Sequence, residues 1–213
     1  MTMTDPTAAD RLALMELLLA EAGLSGPAGD PVMPRADPQA PAALSYAQQR
    51  LWFLDQFEPG SAAYHVPGAL RLSGDLEVEA LARALTALTR RHEVLRTVFG
   101  GGEQPVQRVM AAAAPGWTTE DLSALPAAER AGAVRARIAT ETAKLFDLAR
   151  GPFLRGVLLR LAPTEHVLLV TMHHIVSDQW SLGLLAAEMA AYYRAELTGK
   201  PDGLAPLAVQ YAD

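Results

Sequence analysis

Cysteine is absent from the 213 residues, which excludes disulfides, thiolate zinc sites and a cysteine nucleophile together. No basic segment precedes an apolar stretch at the N-terminus, so a secretory signal is not expected. The longest apolar runs are too short and too interrupted to span a bilayer. Basic clusters interleaved with aromatics are also missing, and a net charge of −6 disfavours a nucleic-acid partner. The expectation is a cytoplasmic protein with no membrane and no nucleic-acid partner. What is present is 50% hydrophobic and 20% charged, the composition of a chain that buries a sizeable core.

Organisation follows from punctuation and periodicity. Residues 10–23 read as a short amphipathic helix, with Asp10 as N-cap and Gly23 as its stop. Pro27, Pro31, Pro34, Pro38 and Pro41 give the following stretch a linker composition. Three segments are therefore expected: an N-terminal element over 1–24, a Pro-rich linker over 25–43 and a globular region over 44–213. Within the last, the pattern predicts a helix over 47–57, a short strand over 69–72 and a helix over 76–92. A hairpin is expected from 94–99 and 106–109, then a helix over 126–146. A second hairpin is expected from 153–161 and 166–172, followed by a helix over 178–197 that stops at Gly199-Lys200-Pro201. Mixed strands and helices with at least two hairpins predict an α/β sandwich with a mixed sheet.

The most informative stretch is Met172-His173-His174-Ile175-Val176-Ser177-Asp178-Gln179-Trp180-Ser181. A buried strand delivers two imidazoles and then a carboxylate onto a helix start, which holds a titratable ring at a rigid point. Histidine is the side chain whose ordinary pKa lies closest to neutrality, so His174 can take or hold a proton at working pH. The alternative is that both histidines are strand-end residues hydrogen-bonded to backbone. No metal site is expected: adjacent strand residues point to opposite faces, and His65, His92 and His166 show no zinc-type spacing. Ser177 and Asp178 could complete a Ser-His-Asp set, but no Gly-x-Ser-x-Gly elbow accompanies them. Asp178 stands where a helix N-cap is expected, and its other possible role is an ion pair that fixes the loop carrying His174. Two further stretches stand out. Arg90 to Phe99 joins a helix end to a strand, and Ser45 with Gln48 stands in capping-box spacing before a helix.

Taken in order, these stretches resemble the condensation domains of nonribosomal peptide synthetases. The segment Ser-x-Ala-Gln-x-Arg-Leu-Trp is matched at Ser45, Ala47, Gln48, Arg50, Leu51 and Trp52. The segment Arg-His-Glu-x-Leu-Arg-Thr-x-Phe is matched at Arg91, His92, Glu93, Leu95, Arg96, Thr97 and Phe99. His-His-x-x-x-Asp-Gly is matched at His173, His174 and Asp178, but Gln179 stands where that family has glycine. Tyr211-Ala212-Asp213 looks like the opening of a fourth segment, Tyr-x-Asp-Phe/Tyr-Ala, interrupted by the chain end.

The resemblance implies a chloramphenicol-acetyltransferase-like lobe, the first of two that face each other across the active site, with the second absent from this chain. It implies amide formation: the amine of an acceptor aminoacyl thioester attacks a donor acyl thioester. Both substrates ride on phosphopantetheine arms of carrier domains, and no cofactor is bound directly. The implied partners are donor and acceptor carrier domains, the second lobe and an adenylation domain. An upstream synthase protein could dock through residues 1–24. His174 is expected at the reaction centre, with His173 orienting the loop and Asp178 ion-paired to an arginine, Arg96 being the in-chain candidate. Gln179 and Ser181 complete the expected site, Gln179 adding bulk where glycine leaves room. The rival expectations are a coenzyme A-dependent acyltransferase of the same fold and a non-catalytic carrier-docking module. Epimerisation domains continue differently after the aspartate, and heterocyclisation domains lack the histidine pair.

Overall fold

A computed structural model describes residues 32–102 and 104–213. The helix expected over 10–23, and with it the docking element 1–24, lies outside the described residues. The strands are β1 (Ala42–Ala43), β2 (His65–Ser73), β3 (Thr97–Gly100), β4 (Val106–Val109), β5 (Gly116–Asp121), β6 (Leu154–Ala162) and β7 (Glu165–His173). The helices are α1 (Tyr46–Phe57), α2 (Val78–Arg91), α3 (Ala127–Ala143) and α4 (Gln179–Thr198), with a 3-10 turn at Glu93–Arg96.

The main sheet runs β2-β7-β6-β5, and a smaller one runs β1-β4-β3. Strands β6 and β7 are buried at most positions on both faces, with Leu and Val runs at their centres. One face sends Leu154, Leu158, Leu168 and Met172 into a core with Leu81, Leu85 and Leu88 of α2 and Met189 of α4. The other sends Val157, Leu159, Val167 and Leu169 against Val134 and Ile138 of α3. The α/β sandwich with a mixed sheet is therefore observed, β5 and β6 being its parallel pair and α3 the crossover between them.

The elements differ from expectation where local signals were weak or misleading. Strand β2 is nine residues long rather than four, running through Pro67 and Gly68. Pro67 is tolerated because β2 is an edge strand, where a missing N–H costs no ladder bond. Strand β5 was not expected at all. Its sequence is polar and largely exposed, and it forms only by parallel pairing with β6. Helix α3 stops at Ala143, three residues early, and the Arg155 guanidinium donates to the carbonyls of Glu141, Lys144 and Leu145. Part of the segment read as a linker makes contacts with the globular region. Ala42–Ala43 pairs with β4, and Arg35 donates to Asp213 and to the Ala40 carbonyl.

Candidate active site

The histidine run lies where β7 leaves the sheet. His65 is the cross-strand partner of His173, so β2 and β7 end together with two imidazoles side by side. Their ring centroids are 5.9 Å apart, and both rings meet the Phe146 ring edge-on. His173 is buried, and its Nδ1 accepts the backbone N–H of Ile175 at 3.1 Å. Removal from water holds its pKa down to about 4, with the neighbouring His65 and His174 adding to the effect. His173 is thus a neutral, inward-facing ring that shapes the turn.

His174 is exposed one residue later. Its backbone N–H donates to the Tyr64 carbonyl at 2.8 Å, and its Nδ1 lies 2.6 Å from the Ser177 carbonyl. A carbonyl oxygen can only accept, so Nδ1 carries the proton. In the neutral ring this leaves the Nε2 lone pair free. The turn from Ile175 to Ser177 bends back on itself to supply that carbonyl. Ile175 and Val176 are buried in the core below it, and the Ser177 hydroxyl donates to the His173 carbonyl at 3.1 Å. Ser177 is therefore part of the turn's scaffold, and a Ser-His-Asp set is not assembled.

Asp178 is the N-cap of α4. Its carboxylate accepts the Ser181 N–H at 2.8 Å, and the Ser181 hydroxyl meets the Asp178 N–H at 2.8 Å. The Ser181 amide is the main reason the Asp178 pKa is held below its ordinary value, with the Ser181 hydroxyl and the nearby His174 contributing. Asp178 and Arg96 are not brought together, so Arg96 is not the arginine partner of Asp178. Arg96 is committed elsewhere: it donates to the Met110 carbonyl and to Glu93 at 3.3 Å. The capping box offers Asp178 a backbone N–H within its own segment, and the 3-10 turn keeps Arg96 beside β4. Gln179 is the first residue of α4 and is exposed, as is Trp180 at 85%.

The other two segments form scaffold. Ser45 and Gln48 make the reciprocal capping box of α1. Arg91 and His92 converge on Glu188 of α4 at 3.0 and 2.5 Å, and Arg91 also donates to the Ala205 carbonyl. Gln210 accepts from the Glu93 N–H and donates to the Arg91 carbonyl. Local pattern did not reveal His65, Tyr64 or the Ser177 carbonyl as parts of the site. The first two arrive by strand pairing and the third by a backbone turn, and neither leaves a side-chain motif. An exposed imidazole whose Nδ1–H is committed to backbone, backed by a desolvated second imidazole and a capped helix, can in its neutral form accept a proton or hold an amine by hydrogen bond at Nε2.

The condensation-domain family model matches residues 39–213. Phosphinothricin tripeptide synthetase PhsC of Streptomyces viridochromogenes is 47% identical over 203 residues, 94% of this chain and 18% of that protein. Malpibaldin synthetase of Mortierella alpina is 42% identical over 182 residues, covering 85% of this chain and 3% of that protein. Among solved structures, the X-domain from teicoplanin biosynthesis superposes with a TM-score of 0.75 at 34% identity, over 85% of this chain and 38% of that one. The starter condensation domain of rhizomide synthetase gives 0.73 at 25% identity, over 80% of this chain and 41% of that one. The chain thus spans less than half of each of these relatives. With a match running from residue 39 to residue 213 and the histidine run inside it, the chain belongs to the condensation-domain family.

Proposed function

We propose that this chain supplies one wall of an amide-forming site, with His174 as the residue at the reaction centre. The observation that carries this is the free Nε2. The Ser177 carbonyl holds the proton on Nδ1, so in the neutral form of this exposed ring the Nε2 lone pair is available to the incoming amine. The acceptor amine attacks the donor thioester carbonyl, the C–N bond forms, the C–S bond breaks, and the leaving thiolate takes up the proton that His174 receives from the amine. The proton that the amine loses passes to Nε2, which also positions the amine before attack. The thioester is already activated, so position and proton acceptance are most of what the site must provide. Asp178 acts at one remove, since its cap fixes the start of α4 directly after the turn. Donor and acceptor arrive on phosphopantetheine arms of carrier domains, with an adjoining second lobe facing His174 and an adenylation domain loading the acceptor. Gln179 projects beside the turn where the family has glycine, and it narrows the fit for substrate.

The test uses the synthetase that contains this chain, with donor and acceptor carriers loaded. His174→Ala is expected to abolish amide formation while the carriers stay loaded, and Gln179→Gly to shift preference among donors. Undiminished amide yield from His174→Ala would overturn the assignment. Replacing the acyl carrier by acyl-coenzyme A separates the acyltransferase reading, which requires the free coenzyme A ester to be the better donor.

A further inference from the structure

We propose that His65 is a positioning residue for His174, anchoring the start of β2 to the C-terminal end of α3 so that the turn holds one tautomer. The inference rests on the reading of His174 given above. His65 Nδ1 donates to the Thr142 carbonyl at 2.6 Å, in the last turn of α3. That turn exposes carbonyls with no partner inside the helix. Arg155 donates to the carbonyls of Glu141, Lys144 and Leu145 at and just past this helix end, and His65 donates to that of Thr142. The same helix end therefore holds β6 through Arg155 and β2 through His65.

Two bonds carry this anchor to the site. The residue before His65, Tyr64, offers its carbonyl to the His174 N–H at 2.8 Å, so the entry to the turn is fixed from β2. The His65 ring lies against His173, whose Nδ1 holds the Ile175 N–H inside the same turn. His65 thus fixes the turn at two points without touching the reacting groups. With the donor gone, the Thr142 carbonyl loses its partner, β2 frays at its first residue and Tyr64 is no longer held against His174. The Ser177 carbonyl then meets His174 Nδ1 only part of the time, and the tautomer preference falls.

The test is made on the 213-residue chain labelled with ¹⁵N-histidine, because long-range ¹H–¹⁵N spectra distinguish the two neutral tautomers. At mildly alkaline pH His174 is expected to show the Nδ1–H form. His65→Phe keeps the ring volume against Phe146 and His173 but has no donor, and it is expected to lose that single form. His65→Asn retains an amide N–H and is expected to preserve it. An unchanged His174 signature in folded His65→Phe overturns the proposal. Where His65→Phe does not fold, His65→Asn decides: a preserved signature supports the anchor and a lost one overturns it. This readout is independent of turnover, so failure of the catalytic reading in His174→Ala leaves it interpretable. In the complete synthetase His65→Phe is expected to lower kcat roughly tenfold or more with KM for the loaded acceptor unchanged.

Discussion

Two adjacent imidazoles in this protein have opposite surroundings. His173 is desolvated and neutral, whereas His174 stands in water with one nitrogen committed to backbone. The sign of the linkage for His173 follows from its lowered pKa. Between about 4 and the ordinary 6.5 the unfolded chain binds a proton that the folded chain does not. Stability therefore rises with pH across that window, is complete above it, and is lost as pH falls from 6.5 toward 4. The effect is on the order of 3 kcal/mol. His166 shifts in the same direction through burial, so it adds to the slope. His173→Asn places a carbonyl oxygen where Nδ1 accepts from Ile175 and removes the titration. Urea midpoints measured from about pH 4 to about pH 7 are expected to depend less on pH in this variant than in the wild type. Equal slopes in the two would show that His173 is not held neutral by the fold.

Strands and helices carry the site through their ends more than through their faces. Strand β7 ends at His173, β2 begins at His65, and α4 begins one residue after Asp178. Their positions depend on how closely the sheet packs, and β5 shows how little tolerance there is. Gly156 of β6 pairs with Trp117 of β5, and the indole lies over the space a side chain would fill. A Cβ there would stand 2.8 Å from Trp117 Cε3 and 3.2 Å from Leu85 Cδ1. Gly156→Ala must push β5 outward or force α2 away, at a cost of about 1–3 kcal/mol. Denaturant unfolding measures this, and pairing with Trp117→Ala is expected to recover part of the loss. Additive losses in the double variant would show that the two residues are not in contact. Helix starts and stops were legible where caps are local: Ser45 with Gln48, Asp178 at α4, and Gly199 in the left-handed conformation at its end. Strand β5 was not legible, because a polar, exposed strand made by parallel pairing leaves no alternation to read.

Across the described residues, α2, α4 and the segment after it are joined by one ionic cluster. Glu188 is 4% exposed and accepts both Arg91 and His92, while Arg91 reaches on to the Ala205 carbonyl. Arg35 adds a second tie, at 3.3 Å to Asp213 and 3.7 Å to Glu93, and the Ser45 hydroxyl meets the Tyr211 hydroxyl at 3.0 Å. Two of the family segments thus hold the frame on which the third presents its histidine. Glu188→Ala leaves an arginine and a histidine facing each other without their carboxylate, and the expected loss is about 3 kcal/mol in urea unfolding. The chain's own slope of stability against urea should not change, since the same surface is exposed. A loss within about 0.5 kcal/mol, the size of an ordinary surface substitution, would mean the cluster is solvated and weak.

The sequence by itself determined the family, the layered α/β class and most helix limits, because each is written in short-range spacing, and it singled out the run that holds His174. Periodicity marks α2, capping chemistry marks α1 and α4, and the three ordered segments mark the family. Tertiary structure alone decided which groups surround that histidine. Strand pairing brought His65 beside His173, and a backbone turn aimed the Ser177 carbonyl at Nδ1. These partners are backbone atoms or residues more than a hundred positions away. No local pattern records them, and they set the tautomer that leaves Nε2 free.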